Sequence, residues 1–232
     1  MSAWCIRLLA IIFMLIDHIG VAWPTLPCYI VLRLLGRASF PLFAFLIANG
    51  YRHTKNVFAY LLRLGILAVI SEACFDLFQH NVLFYLREQN VFFTLFLGLL
   101  ALFLLDHFRT MGRPQAALGM ILALSLALLA EFAATDYGFF GVVLILCYGI
   151  FFTSPLGLGF TTVLFALRLL LNAPASWEWP LLTLGALGAL FPILLYNGKK
   201  GFSPQSPRLA KILQMGIYLF YPLHLLFLSL CR

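Results

Sequence analysis

Asp17 and His18 stand side by side in Leu15–Gly20, near the end of an apolar stretch whose one other ionisable group between Trp4 and Ala22 is Arg7. At about 1.5 Å per residue that stretch is long enough to cross a ~30 Å bilayer core. A charge at that depth costs roughly 2.5–3.5 kcal/mol on insertion scales, so it is kept where it meets a partner or lines a cavity. A carboxylate and an imidazole there have the chemistry of ion pairing and general acid–base catalysis. Further ionisable groups interrupt other apolar stretches: Arg33, Arg37, Glu72, Asp76, Arg168 and His224.

Adjacent residues on a helix point about 100° apart, so Asp17 is poorly set to orient His18 and is expected to meet an arginine. Arg33 and Arg37 are spaced i, i+4 and share a face, as do Glu72 and Asp76. The spacing suggests an arginine pair presented to a carboxylate pair, with one carboxylate left to orient His18 as general base. The competing reading is an ion-pair network that joins helices without chemistry.

The elements that must position these groups follow from composition. Hydrophobic residues make up 63% of the chain, charged residues 10%, and the mean hydropathy is +1.02, against ~25% charged in soluble domains. The predicted fold is all-α, a polytopic transmembrane helix bundle forming a single domain over 1–232. Apolar windows between Pro, Gly and polar punctuation give about nine spans, at 4–22, 29–50, 57–78, 91–107, 116–134, 138–153, 156–171, 178–196 and 212–230. Arg7, Arg52, Lys55, Arg109, Arg113, Lys199, Lys200, Arg208 and Lys211 fall on one side, but only Arg87 and Arg232 on the other. That asymmetry predicts a cytoplasmic N-terminus. With Asp17 and His18 about 6–8 Å below the outer end of the first span and His224 about 9 Å into the last, the buried charges share one level.

Net charge +7 comes from basic residues scattered in short loops, with no basic stripe to bind nucleic acid. Cys5, Cys28, Cys74, Cys147 and Cys231 lack C-x-x-C spacing and read as packing thiols, with a Cys28–Cys231 bridge left open. No metal-site, P-loop or nucleophile-elbow motif is present, and no metal is expected. Asp106-His107 beside Arg109 reads as an interfacial snorkelling pair. Arg7 precedes an apolar run without a cleavage signature, so the first segment is expected to remain as a helix.

Seven stretches, in order along the chain, resemble the TraX family: Leu15–Gly20, Gly36–Thr54, Leu61–Leu64 with Ile70–Glu72, Phe93–Leu100, Tyr137–Val142, Leu195–Gly201 and Tyr218–His224. The resemblance implies an acetyl-CoA-dependent acetyltransferase of the bacterial inner membrane, with the N-terminal amine of a pilin, or another envelope acceptor, receiving the acetyl group. A glycan acceptor is the alternative within that chemistry, and a transporter or flippase the alternative outside it. By the resemblance His18 is the base; Asp17, Glu72 and His224, read from their shared level among the buried charges, are the further candidates for the catalytic set. Acetyl-CoA is then expected at Arg37, Arg52, His53, Lys55, Asn197, Lys199 and Lys200, and the lipid bilayer is the other partner.

Overall fold

Ser2 starts the first helix by accepting a hydrogen bond from the Cys5 amide, and the uninterrupted apolar run behind it carries α1 from Ala3 to Ala22. Pro24 and Pro27 follow, in a stretch where helix cannot continue smoothly. The computed structural model describes residues 1–171, 178–202, 204 and 206–232; the expected connection at 172–177 lies outside them, as does the side chain of Lys211. Beyond α1 come α2 (Tyr29–Gly36), α3 (Ser39–His53), α4 (Val57–His80), α5 (Val91–Arg109), α6 (Arg113–Phe132), α7 (Gly138–Ile150), α8 (Pro155–Leu171), α9 (Glu178–Leu184), a 3₁₀ turn (Gly185–Ala189), α10 (Leu190–Leu194) and α11 (Pro207–Cys231). Among the described residues there is no β-strand, and the fold is an all-α helical bundle.

Among the described residues six helical segments are long and apolar enough to cross a membrane: α1, Tyr29–His53, α4, α5, α6 and Arg208–Cys231. Phe132, Leu156, Phe160, Phe227 and Leu230 stand exposed, the outward apolar surface that suits lipid rather than water. The chain is a multi-pass membrane protein. Of the three remaining apolar segments α8, at 17 residues, matches the expected span at 156–171, and the other two are shorter than the sequence suggested. At 13 residues α7 is about 20 Å long, and the expected span at 178–196 divides into α9, the 3₁₀ turn and α10.

The chain forms two compact units, each built from separated pieces of sequence. The first comprises Met1–Phe43, Ala73–Leu83 and Thr162–Arg232. Its core includes Ile6, Ala10, Leu42, Phe78, Leu182, Ile193 and Leu225. Here α1 packs against α2, and Gly36 lies so close to Asp17 that a Cβ would collide with it. After α10 the loop returns to the start of the chain: Ala3 and Trp4 amides donate to the Lys199 and Lys200 carbonyls, and the Asn197 amide to that of Met1. Gly198 and Gly201, at φ +74° and +84°, supply the left-handed turns this docking needs.

The second unit comprises Ala44–Glu72 and Phe84–Thr161. Its centre is the mutual packing of α5, α6 and α7. Gly98 lies against Ile145, Gly149 against Leu102 and Gly119 against Phe108. Small residues at these crossings let backbones approach, as apolar helices in lipid require. Glu131 caps α7 by accepting from the Phe139 amide at 2.9 Å.

Candidate active site

In the first unit Asp17 meets an arginine, as its position on α1 suggested. Arg33 Nη1 donates to Asp17 Oδ2 at 2.6 Å, and Arg37 Nε lies 3.9 Å from Oδ1. One turn of helix separates the two arginines, so a single carboxylate faces both. Gly36 between them and Gly20, packed on the Arg33 stem, provide the close α1–α2 approach. These side chains are largely shielded, so their mutual satisfaction decides whether the cluster is tolerated. Arg37, expected at acetyl-CoA, is thus placed beside Asp17.

His18 turns away from this cluster towards α11. Its Nδ1 lies 2.8 Å from His224 Nε2, and His224 Nδ1 lies 2.7 Å from the Phe220 carbonyl. Phe78 and Tyr221 meet the His18 ring edge-on at 5.4 and 6.2 Å, and Phe220 stacks on His224 at 4.9 Å. His224 is buried and His18 only half-buried, so His18 is the member with open surface. The expected carboxylate partner of His18 is therefore corrected: among the described residues its hydrogen-bond partner is His224, 206 positions away. No spacing rule in the sequence links the two rings, although each had been singled out as a buried ionisable group.

Glu72 lies in the second unit, where the Asn90 amide and side chain both donate to its Oε2. Asn90 is fully buried, donates also to the Ala68 carbonyl at 2.8 Å and caps α5 through the Phe92 amide. Glu72 thus holds the cap of α5, an anchoring role that the paired-carboxylate expectation did not include.

The same unit contains a cavity of about 600 Å³ lined by Tyr51, Arg52, Asp106, Arg109, Gly149 and Thr153 among others. The volume lies within the usual range of small-molecule sites. Helices α3, α5 and α7 all end here, directing the partial negative charge of their C-termini towards it. Arg52 answers one of them by donating to the Gly149 carbonyl at 3.3 Å, with its guanidinium 4.9 Å over the Phe152 ring. Arg109 adds a second cation. Asp106, expected to be merely interfacial, accepts from the Tyr51 hydroxyl at 2.9 Å and lines the cavity. Of the residues lining this cavity only Arg52 was among those expected at acetyl-CoA; Tyr51 and Arg109 were not.

Of the other residues expected at acetyl-CoA, His53 Nδ1 is engaged by the Asn49 carbonyl at 2.8 Å, and Lys55 lies in the exposed turn before α4. Asn197, Lys199 and Lys200 form the loop docked on the start of α1, where Asn197 Oδ1 accepts from the Lys199 amide. The Cys28 and Cys231 thiols are both free.

The family described as TraX protein matches residues 2–232. The chain is also similar to the "Probable fimbrial assembly protein FimC, serogroup H1" of Dichelobacter nodosus, 31% identical over 246 residues that cover 97% of this chain and 93% of that protein. No solved structure matches.

Proposed function

Because the chain belongs to the TraX protein family, we propose that it is an acetyltransferase of the bacterial inner membrane, taking an acetyl group from cytoplasmic acetyl-CoA. The proposed acceptor is the N-terminal amine of a pilin at the outer side. The observation that carries the chemistry is the His18–His224 pair, two hydrogen-bonded imidazoles in an aromatic wall with one ring still accessible. The fimbrial assembly relative supports a pilin subunit as acceptor.

In this reading the acceptor nitrogen attacks the thioester carbonyl carbon of acetyl-CoA while His18 takes a proton from it. The C–N bond forms first, placing the carbonyl electrons on oxygen, and the C–S bond breaks as this tetrahedral oxyanion collapses. The CoA thiolate leaves with the proton that His18 returns, giving an amide and free CoA. Arg37, held beside Asp17 in the same unit, is the cation proposed to supply positive potential for the tetrahedral oxyanion. Within the second unit Arg52 and Arg109 at the cavity, with His53 and Lys55 close to Arg52 in sequence, are suited to a phosphate, and within the first unit Asn197, Lys199 and Lys200 after α10 are separately so suited. Asp106 is an acceptor for the amino or hydroxyl groups of its nucleoside.

The test uses the full chain in lipid nanodiscs. Acetyl-CoA at 100 times its Kd should raise folding stability by about 2.7 kcal/mol, and labelled acetyl should appear on the N-terminus of a pilin peptide. His18→Asn should still bind acetyl-CoA but transfer about 10²–10⁴-fold more slowly. Normal turnover in folded His18→Asn would remove His18 as base, and absence of any stabilisation by acetyl-CoA would remove the donor.

A further inference from the structure

The two histidines form a directed chain whose proton positions follow from the atoms at its end. A backbone carbonyl only accepts, so the 2.7 Å contact to the Phe220 oxygen requires the proton on His224 Nδ1. A neutral imidazole carries one N–H, which leaves His224 Nε2 as an acceptor. The 2.8 Å contact then requires His18 to donate from Nδ1.

We infer that the resting pair holds His18 as its Nδ1–H tautomer, with the lone pair of Nε2 as the basic atom, and that His224 is the positioning residue that fixes this state. The inference rests on the acetyltransferase reading only for what gives up the proton. In water imidazole favours the opposite tautomer, with the proton on Nε2 and no basic nitrogen at that position. His224 reverses the preference because the Phe220 carbonyl has already claimed its only proton. Burial divides the labour: His224 is enclosed and anchored to its own helix, and half-buried His18 presents the ring that still has surface. When Nε2 takes the acceptor's proton, the Nδ1–H···Nε2 bond strengthens, because its donor is now charged. No further proton need leave the pair before His18 returns one to the departing thiolate.

The decisive measurement is nitrogen-15 NMR of histidine-labelled full chain in nanodiscs, with His18 assigned by loss of its signals in His18→Asn. The expected result is a protonated Nδ1 and a bare Nε2 on His18. His224→Gln, whose side-chain oxygen can accept near the lost Nε2, should preserve that pattern, and His224→Leu should release His18 towards the Nε2–H form. In transfer assays His224→Leu should lower kcat by up to about 10⁴-fold, the cost of losing the group that holds a catalytic imidazole in its working tautomer, with KM for acetyl-CoA unchanged, and His224→Gln should recover part of the rate. An Nε2–H His18 in an active wild-type protein would overturn the inference alone. An Nδ1–H His18 in a protein that transfers no acetyl group would overturn the acetyltransferase reading alone. Equal kcat losses in folded Leu and Gln variants would overturn the positioning role.

Discussion

Asp17 is an anion that its apolar surroundings tolerate only while Arg33 and Arg37 answer it. Asp17→Ala should therefore destabilise the protein by about 3–5 kcal/mol, because it leaves guanidinium charge shielded from water without its counterion. Reversible unfolding in bicelles measures this. Replacing both partners, as Asp17→Leu with Arg33→Met, should cost less than the single change; equal costs would show that the two residues do not act as a pair. His18 differs in kind from its neighbour. Its contacts are rings and one imidazole nitrogen, so its replacement should be felt in transfer before it is felt in folding.

At the scale of elements, glycines decide how near the charged helices can come. A Cβ on Gly36 would overlap Asp17, so Gly36→Ala forces α1 and α2 apart at the residue that binds both arginines. Such overpacking should cost about 1–3 kcal/mol. Gly188→Ala is the control, since its Cβ would meet Ala38 at an ordinary 3.8 Å. Thermal unfolding in nanodiscs compares the two, and equal shifts would refute the steric account. The ends of α3, α5 and α7 make a similar point in the second unit. Their C-terminal carbonyls concentrate negative potential at the cavity, so Arg52 and Arg109 neutralise helix ends as well as offering donors to a ligand.

For the whole molecule, the distribution of basic loops governs orientation. The expected topology, with the N-terminus inside and nine spans, requires a reporter fused after Lys200 to read cytoplasmic and one fused after Arg232 to read periplasmic. Alkaline phosphatase and fluorescent-protein fusions measure this directly. The reverse result at either site would overturn the expected depth of His18 and His224 from the outer face. The brevity of α7 and the division of the segment before Tyr196 into α9, a 3₁₀ turn and α10 make these the elements on which the crossing number depends.

The sequence by itself determined the solvent, the helical class, the approximate ends of the long spans and which buried residues needed an explanation. Each depends on local quantities: apolar run length, turn punctuation and the cost of charge in hydrocarbon. The seven ordered stretches also carried the family, through residues spread from the first helix to the last. Tertiary structure decided the partners. Helices that are apolar on nearly every side carry no polar stripe to show which face turns inward, and their packing follows small-residue contacts such as Gly36 on Asp17 or Gly98 on Ile145. Helical spacing could bring Arg33 and Arg37 to one face, but it could not direct Glu72 to Asn90 or Asp106 to Tyr51. Nor could it pair His18 with His224, because the azimuth of a residue on one helix constrains nothing about a helix 206 residues later until both are packed.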